Sequence, residues 1–542
     1  MKRIVIALLA TAILPLGAAE KRVKKSWHGN PVVNSKKKAP AKRTTRPSVA
    51  TTPYTSVGSD KDLNEALALA RSGKYVEASQ RLFQLSYSPR FRDRRMQIKY
   101  ILGMTLHQMK LNQVSAFQFI GVVKEGNNKY IKQSLEKLSL AADALGDDTL
   151  LNYAISRVDV DEFPRVHRDM LHYRIGEFQM RNKQFDQAAR SFGRVTTGTP
   201  LYSSAKYQEG LALAESKDVN RSLAAFEELA ANRSKAEAND KGRVGGMMGK
   251  ARILYQKQDW DQAIEAYRQI PRDSEFWHDT LFESSWAMLR SGRFRSALSN
   301  FHSLHSSFYE ETYLPESLLL RAIVYLYICK YDEMDKILDL FSRTYKPVYK
   351  SIDKILATVN DDNRYFNMMN DMMRMAKSPS KFDRGNAPMP YLVAQKISRE
   401  ADFQNAYQYI RNLMEERRRI DSLPASWRNG PLGQYSKKVL NTRLAKAKTR
   451  AGKIARQHLF AIKEDLIDLL EQEGFIRYEM INGRKESLKK RIAGKELPTQ
   501  EIDSDNERDF YIQNGFEYWP FRGEYWLDEL GNYHYVGKQS CN

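Results

Sequence analysis

Apolar positions recur at the three-to-four spacing of amphipathic helices along most of this 542-residue chain, and a recurrent cluster separates one such stretch from the next. Its clearest instance is Gly292-Arg293-Phe294-Arg295-Ser296-Ala297 followed by Phe301: a turn residue, an aromatic, a small residue and a bulky apolar residue. The cluster returns as Gly73, Tyr75, Ala78, Leu82; as Lys183, Phe185, Ala188, Phe192; and as Gln258, Trp260, Ala263, Tyr267. Further on it reads Cys329, Tyr331, Met334, Leu338 and, more distantly, Ala401, Phe403, Ala406, Ile410. Weaker copies place Ala116, Leu151 and Ser222 at the small-residue position, with Ile120, Ile155 and Phe226 four residues later. One i, i+4 apolar pair would say only that a helix is amphipathic. Good copies at steps in the mid-thirties predict stacked antiparallel helical hairpins, an all-α solenoid.

Each residue type suits its place. Gly73 and Gly292 supply the positive φ of a tight helix–helix turn. The aromatic fills the wedge where the helices diverge, the small residue lets them approach, and the bulky residue carries the core into the next hairpin. The unit resembles the tetratricopeptide repeat. That resemblance implies a binding fold, with a concave face that takes a peptide or partner helix.

Read in order, Met1-Lys2-Arg3, the apolar run Ile4 to Leu16 and Gly17-Ala18-Ala19 have the pattern of a secretory signal peptide at 1–19, with cleavage after Ala19. An uncleaved anchor is the alternative, but the run is short and holds Pro15. Residues 20–59 are rich in Lys, Arg, Pro, Ser and Thr and read as a disordered basic tether, either a spacer or an arm for polyanionic polymers or acidic lipid head groups. Repeats are expected over 60–345 and divergent helical repeats over 346–429, where Met368, Met369, Met372, Met373 and Met375 read as adaptable core filler rather than a binding face. After Gly430-Pro431, the region 430–500 should hold a long amphipathic helix, with its apolar rhythm through Leu440, Leu444, Ala447, Ala451 and Ile454. No later stretch is apolar enough to span a bilayer.

Net charge is +22, but it is concentrated. Residues 1–59 carry 12 Lys and Arg against one acid, and residues 411–456 carry 13 against three, which leaves the repeats nearly neutral. The second basic segment reads either as a solvated helix face or as a docking face for a partner. Nucleic acid is a poor fit for an exported chain.

The end, 501–542, concentrates aromatics, with Trp519, Pro520, Phe521, Tyr525 and Trp526 at its centre. They fold back as a strap on the helices or present a hot-spot surface. The stretch Tyr518-Trp519-Pro520-Phe521, with Gly523-Glu524-Tyr525-Trp526 and Asp528-Glu529-Leu530-Gly531, resembles exported tetratricopeptide-repeat proteins associated with gliding motility in myxobacteria and their predatory relatives. The resemblance implies an envelope scaffold, periplasmic or outer-membrane associated, within a multiprotein machine.

Catalytic signals are weak. Gly245-Gly246-Met247-Met248-Gly249-Lys250 lacks the first glycine and the Ser or Thr of a phosphate loop. His302 and His305 share a helix face without a third ligand in sequence; Cys329 and Cys541 could pair within or between chains in an oxidising compartment, but two cysteines do not make a disulfide framework. Cys329, inside a repeat, reads by default as a buried small residue. No cofactor, metal or enzymatic activity is expected. The reading is an exported scaffold for envelope proteins, with polyanion binding through the basic segments as the alternative.

Overall fold

The computed structural model describes residues 58–125, 129–146, 149, 168–231, 240–310, 312–376, 387–492 and 523–535. Two units separate, Met1–Thr55 and Ser56–Asn542. The expected leader, its Ala19 cleavage position and nearly all of the expected 20–59 tether lie outside the described residues, and the described helices all belong to the second unit.

Among the described residues there are 20 α-helices and no strand. The hairpins are α1 (Asp60–Arg71) with α2 (Tyr75–Tyr87) and α3 (Arg95–Gln108) with α4 (Asn112–Lys124), then comes α5 (Ile131–Leu145); the repeat copy expected at Leu151 and Ile155 lies outside the described residues. They continue as α6 (Arg168–Arg181) with α7 (Phe185–Phe192), α8 (Tyr202–Glu215) with α9 (Val219–Ala231), and α10 (Lys241–Gln256) with α11 (Trp260–Arg268). The last are α12 (Trp277–Arg290) with α13 (Phe294–Leu304) and α14 (Pro315–Tyr327) with α15 (Tyr331–Thr358).

Seven hairpin turns share one backbone device. Gly73, Lys110, Lys183, Lys217, Gln258, Gly292 and Cys329 all have positive φ, between 55° and 80°. The next residue's N–H reaches back to a carbonyl five positions earlier, as in Lys74 to Leu69, Asp259 to Leu254 and Arg293 to Met288. Only two of the seven are glycine; the others adopt left-handed backbone at a modest energetic cost because the hairpin around them is fixed.

Counting five residues on from each turn identifies the close-packed position: Ala78, Ala188, Ala263 and Ala297 are fully buried there. In the second hairpin this corrects the sequence reading, because the turn at Lys110 selects Ser115 rather than Ala116. The Ser115 hydroxyl donates to the Gly103 carbonyl at 2.9 Å, as Ser222 does to Gly210 at 2.8 Å. The ring four residues later then lies flat on a glycine of the first helix. A Cβ on Gly103, Gly176 or Gly210 would fall 2.6, 2.7 or 2.7 Å from the rings of Phe119, Phe192 or Phe226. Each such ring is almost fully buried, and truncating one to alanine should cost about 3–5 kcal/mol. The same packing explains Gly246 and Gly249, which lie in α10 rather than a phosphate loop and face Ala230 N and the Phe226 ring of α9.

The helices that follow are α16 (Asp362–Met375), α17 (Tyr391–Arg399), α18 (Ala401–Ser422), α19 (Ala425–Asn429) and α20 (Pro431–Ile492). Two expectations change here. The boundary placed at 345/346 falls inside α15, which runs unbroken across Pro347. The copy at Ala406 lacks the hairpin turn: Glu400 is extended (φ −70°, ψ 129°), so Ala406 is only half-buried while Phe403, Tyr409, Ile410 and Leu413 form the inner face of α18.

α20, 62 residues long, lies along α14, α15, α16 and α18 and touches α2 and α4 near its start. Small residues permit this. A Cβ on Gly452 would sit 1.7 Å from the Asp362 carbonyl oxygen at the start of α16, and one on Gly483 would sit 2.5 Å from the Tyr331 hydroxyl. Met369 and Met372 fill the core of α16. Ion pairs line the seam with α15: Lys463–Asp353 at 2.6 Å, Arg477 with Asp335 and Asp339 at 3.0 Å each, and Arg484–Asp332 at 2.9 Å. These contacts tie α15 to α20 on both sides of Pro347, which removes one helical hydrogen bond.

Candidate functional site

Two features of the array bear on binding: what joins its distant parts, and what it leaves exposed.

The first repeats are tied to the C-terminal helices by polar contacts across nearly the whole sequence. Leu111, the residue before α4, offers no side-chain cap. Glu416 of α18 supplies it, accepting the backbone N–H of Gln113 at 2.8 Å and of Val114 at 3.1 Å. Tyr409 donates to the Gln113 side-chain oxygen at 2.6 Å, and Asn412 donates to the Leu145 carbonyl at 2.9 Å. The buried Trp427 indole donates to the Ser79 hydroxyl at 3.0 Å, and Tyr435 packs on Phe83 with ring centres 5.3 Å apart. Burial pushes the Glu416 carboxyl up to about 7 even though backbone N–H groups favour its ionised form. The docking of α18 on α4 therefore places a titrating group at its centre.

The second feature is the aromatic end. Residues 523–535 lie across α12, α13 and α14, pinned by backbone bonds: Gly531 N–H to the Ser303 hydroxyl at 2.7 Å and Tyr535 N–H to the Ser299 hydroxyl at 2.9 Å. Arg272 donates to the Asn532 side-chain oxygen at 2.6 Å. Gly531, at φ +84°, presses on Trp277, where a Cβ would come within 2.8 Å of the indole. Leu530 is buried, and Tyr525 and Tyr533 pack on the His302 ring with centres 5.3 and 4.7 Å away. Trp526 and Leu527 instead point outward, 56% and 69% exposed. The described part of the segment is thus both strap and surface, anchored by one set of rings and displaying another. Trp519, Pro520 and Phe521 lie outside the described residues.

This arrangement settles the histidines. Burial first, then Arg321, lowers His302 to about 4. His305 is half-buried, and desolvation first, then Arg321 and His302, holds it well below its ordinary value; Arg321 donates toward its Nδ1 at 3.2 Å, and its Nε2 lies 2.9 Å from the Ser317 hydroxyl. Both rings are packing elements, and among the described residues no group of three or more His, Cys, Asp or Glu is placed to hold a metal. Cys329 corrects the reading of it as a buried small residue: it occupies a half-buried turn and is disulfide-bonded. The other cysteine of the chain, Cys541, lies outside the described residues.

The repeat-defining aromatics sit between hairpins. Trp260 meets Tyr255 of its own hairpin edge-on at 4.9 Å and has Arg290 of α12 over its ring at 5.6 Å, and Phe294 stacks on Tyr327 of the next hairpin at 5.2 Å. Tyr75, Phe185 and Tyr331 are likewise half-buried, Tyr331 against Gly483. What the sequence pattern missed is the partner of the bulky residue, the glycine sixteen positions earlier in Gly103–Phe119, Gly176–Phe192 and Gly210–Phe226. That fixed spacing was there to be found.

Residues 246–273 match the tetratricopeptide repeat family. They comprise the second half of α10, the left-handed turn at Gln258 and α11, and the other hairpins repeat that geometry. No curated protein matches the chain. A repeat of this family within an all-α solenoid of helical hairpins suggests a protein-interaction scaffold, a fold that typically binds rather than catalyses. Among the described residues no helix is long and apolar enough to cross a membrane.

Proposed function

We propose that the chain is an exported tetratricopeptide-repeat scaffold that assembles proteins in a bacterial cell-envelope complex, periplasmic or outer-membrane associated, with gliding-motility machinery as its setting. The observation that carries the scaffold reading is the strap over α12–α14, which holds Trp526 and Leu527 outward on a preorganised backbone; exposed aromatic anchors on rigid supports are what partner proteins bind. The disulfide at Cys329 supports an oxidising compartment, and so do the leader-like residues 1–19. Two measurements test this. The mature protein, recovered outside the cytoplasm, should begin at Glu20; recovery of the intact leader in the cytoplasm would overturn export. Affinity capture from envelope fractions should return proteins whose yield falls at least tenfold with Trp526→Ala and Leu527→Ala; unchanged capture would remove the strap from the account.

A second reading, binding of an anionic cell-wall polymer, is favoured by one observation: Arg411 and Arg418 of α18 and Lys438, Lys446 and Lys453 of α20 are exposed. Deleting residues 20–59 together with Arg411→Glu, Arg418→Glu, Lys438→Glu, Lys446→Glu and Lys453→Glu should abolish polymer retention under this reading and leave protein capture intact under the first.

A further inference from the structure

Among the described residues, the last third of α20 leaves one side uncovered. Phe475, Tyr478, Ile481, Leu488 and Ile492 are all more than half exposed, Phe475 at 72%. Their spacing by three, three, seven and four puts them on one side of the helix, while Leu469, Ile476 and Met480 are buried on another and Arg477 and Arg484 pair with α15. A single exposed apolar residue is ordinary, but five in a stripe about 26 Å long at 1.5 Å per residue form a surface.

Gly474 lies within this stripe, beside Phe475 and one turn before Tyr478. The other glycines of α20 each meet a neighbour closely: a Cβ would approach Trp427 O at Gly433, Asp362 O at Gly452 and the Tyr331 hydroxyl at Gly483, at 2.3, 1.7 and 2.5 Å. Around Gly474 no described residue comes within 4 Å of such a Cβ. A glycine inside a helix costs about 1 kcal/mol relative to alanine. At the other three positions close packing explains it, and at Gly474 the same explanation needs a second backbone to approach from outside.

Charge says what kind of helix. On the N-terminal side of the stripe Glu464, Asp468 and Glu471 are exposed; on its C-terminal side Lys485, Lys489 and Lys490 are exposed. A parallel copy would set like charges together. An antiparallel copy, related by a two-fold axis near Tyr478, sets Glu471 opposite Lys485 and Phe475 opposite Ile481. We propose that this stripe is the seam of an antiparallel α20–α20 pair joining two copies of the chain. A single helix pair of this length buries less than the roughly 1,200 Å² of a standard interface, so the dimer forms in the micromolar range.

Sedimentation velocity of the full chain from about 1 to 200 μM tests this. A concentration-dependent dimer is expected. Tyr478→Glu should raise its dissociation constant at least tenfold. Gly474→Gln should also weaken it while raising helix stability, which separates loss of the seam from misfolding. Glu471→Lys should weaken the dimer and Glu471→Lys with Lys485→Glu in one chain should restore it, because each residue faces the other across an antiparallel seam. A chain monomeric throughout, its stripe then covered by another segment or partner, overturns the proposal. So does a dimer indifferent to Tyr478→Glu, or a double variant no tighter than Glu471→Lys alone.

Discussion

Replacing Glu416 with glutamine tests whether the C-terminal helices cap the first repeats. Glu416 is 3% exposed, and its two oxygens each accept a backbone N–H at the start of α4, from Gln113 and Val114. Its carboxyl is raised to about 7 from its ordinary value of 4.5, with burial as the largest cause. The folded chain therefore holds the proton more tightly than the unfolded chain. The stabilisation that this adds is complete below about pH 4.5 and disappears as pH rises through about 7. The gap between the two values corresponds to about 3 kcal/mol at about 1.4 kcal/mol per pH unit. His302 and His305, held neutral by burial, act in the opposite sense below about pH 6.5, so the informative quantity is the difference between wild type and Glu416→Gln. Urea unfolding between pH 4.5 and 8, followed by hydrogen exchange over 112–124, should show wild type losing about 2–3 kcal/mol relative to Glu416→Gln as pH rises across the window. Glu416→Ala should cost about 2–4 kcal/mol at pH 5, since it strands two N–H groups and removes the cap. Parallel pH profiles for wild type and Glu416→Gln would refute the reasoning.

Other parts of the fold give equally direct outcomes. Gly452→Ala forces a Cβ into the Asp362 carbonyl oxygen; α16 and α20 must separate, with a loss of about 2–4 kcal/mol and new protease cleavage in α20, read by limited proteolysis. Gln258→Gly should stabilise the α10–α11 hairpin by about 1 kcal/mol in thermal melts, because the left-handed backbone there suits glycine. Arg477→Ala removes bonds to Asp335, Asp339 and the nearly buried Glu473; the expected cost of about 1–3 kcal/mol, measured by denaturation, should shrink as salt rises. Cys329→Ser should speed hydrogen exchange over 523–535 at least tenfold while leaving α1–α11 unchanged.

The hairpins were legible because their chemistry is local. Turn, aromatic and small residue lie within six positions, so Ala188, Ala263 and Ala297 could be placed from pattern alone. Local patterning failed where backbone geometry is imposed by the surrounding hairpin: nothing about Lys110 announces a left-handed conformation, and the register slipped to Ala116 because alanine is a commoner small residue there than Ser115. It failed again where distant partners decide. The boundary expected at 345/346 lies inside α15, which runs unbroken through Pro347 with ion pairs to α20 on both sides of it. Glu416 looks like one more surface acid on a basic helix, and no spacing rule joins it to Gln113, 303 residues away. The aromatic end was visible as an anomaly; that Tyr525 anchors on His302 while Trp526 faces outward depends on which side of the strap meets α13.

The central claim, a scaffold that binds proteins through its strap and repeats, is tested most directly by cross-linking mass spectrometry on native envelopes, comparing wild type with Trp526→Ala, Leu527→Ala. Intermolecular links from 523–535 and α12–α14 to other proteins are expected in wild type and should disappear in the variant, while links between α18 and α4 persist in both. Wild-type links confined to the chain itself would contradict the claim.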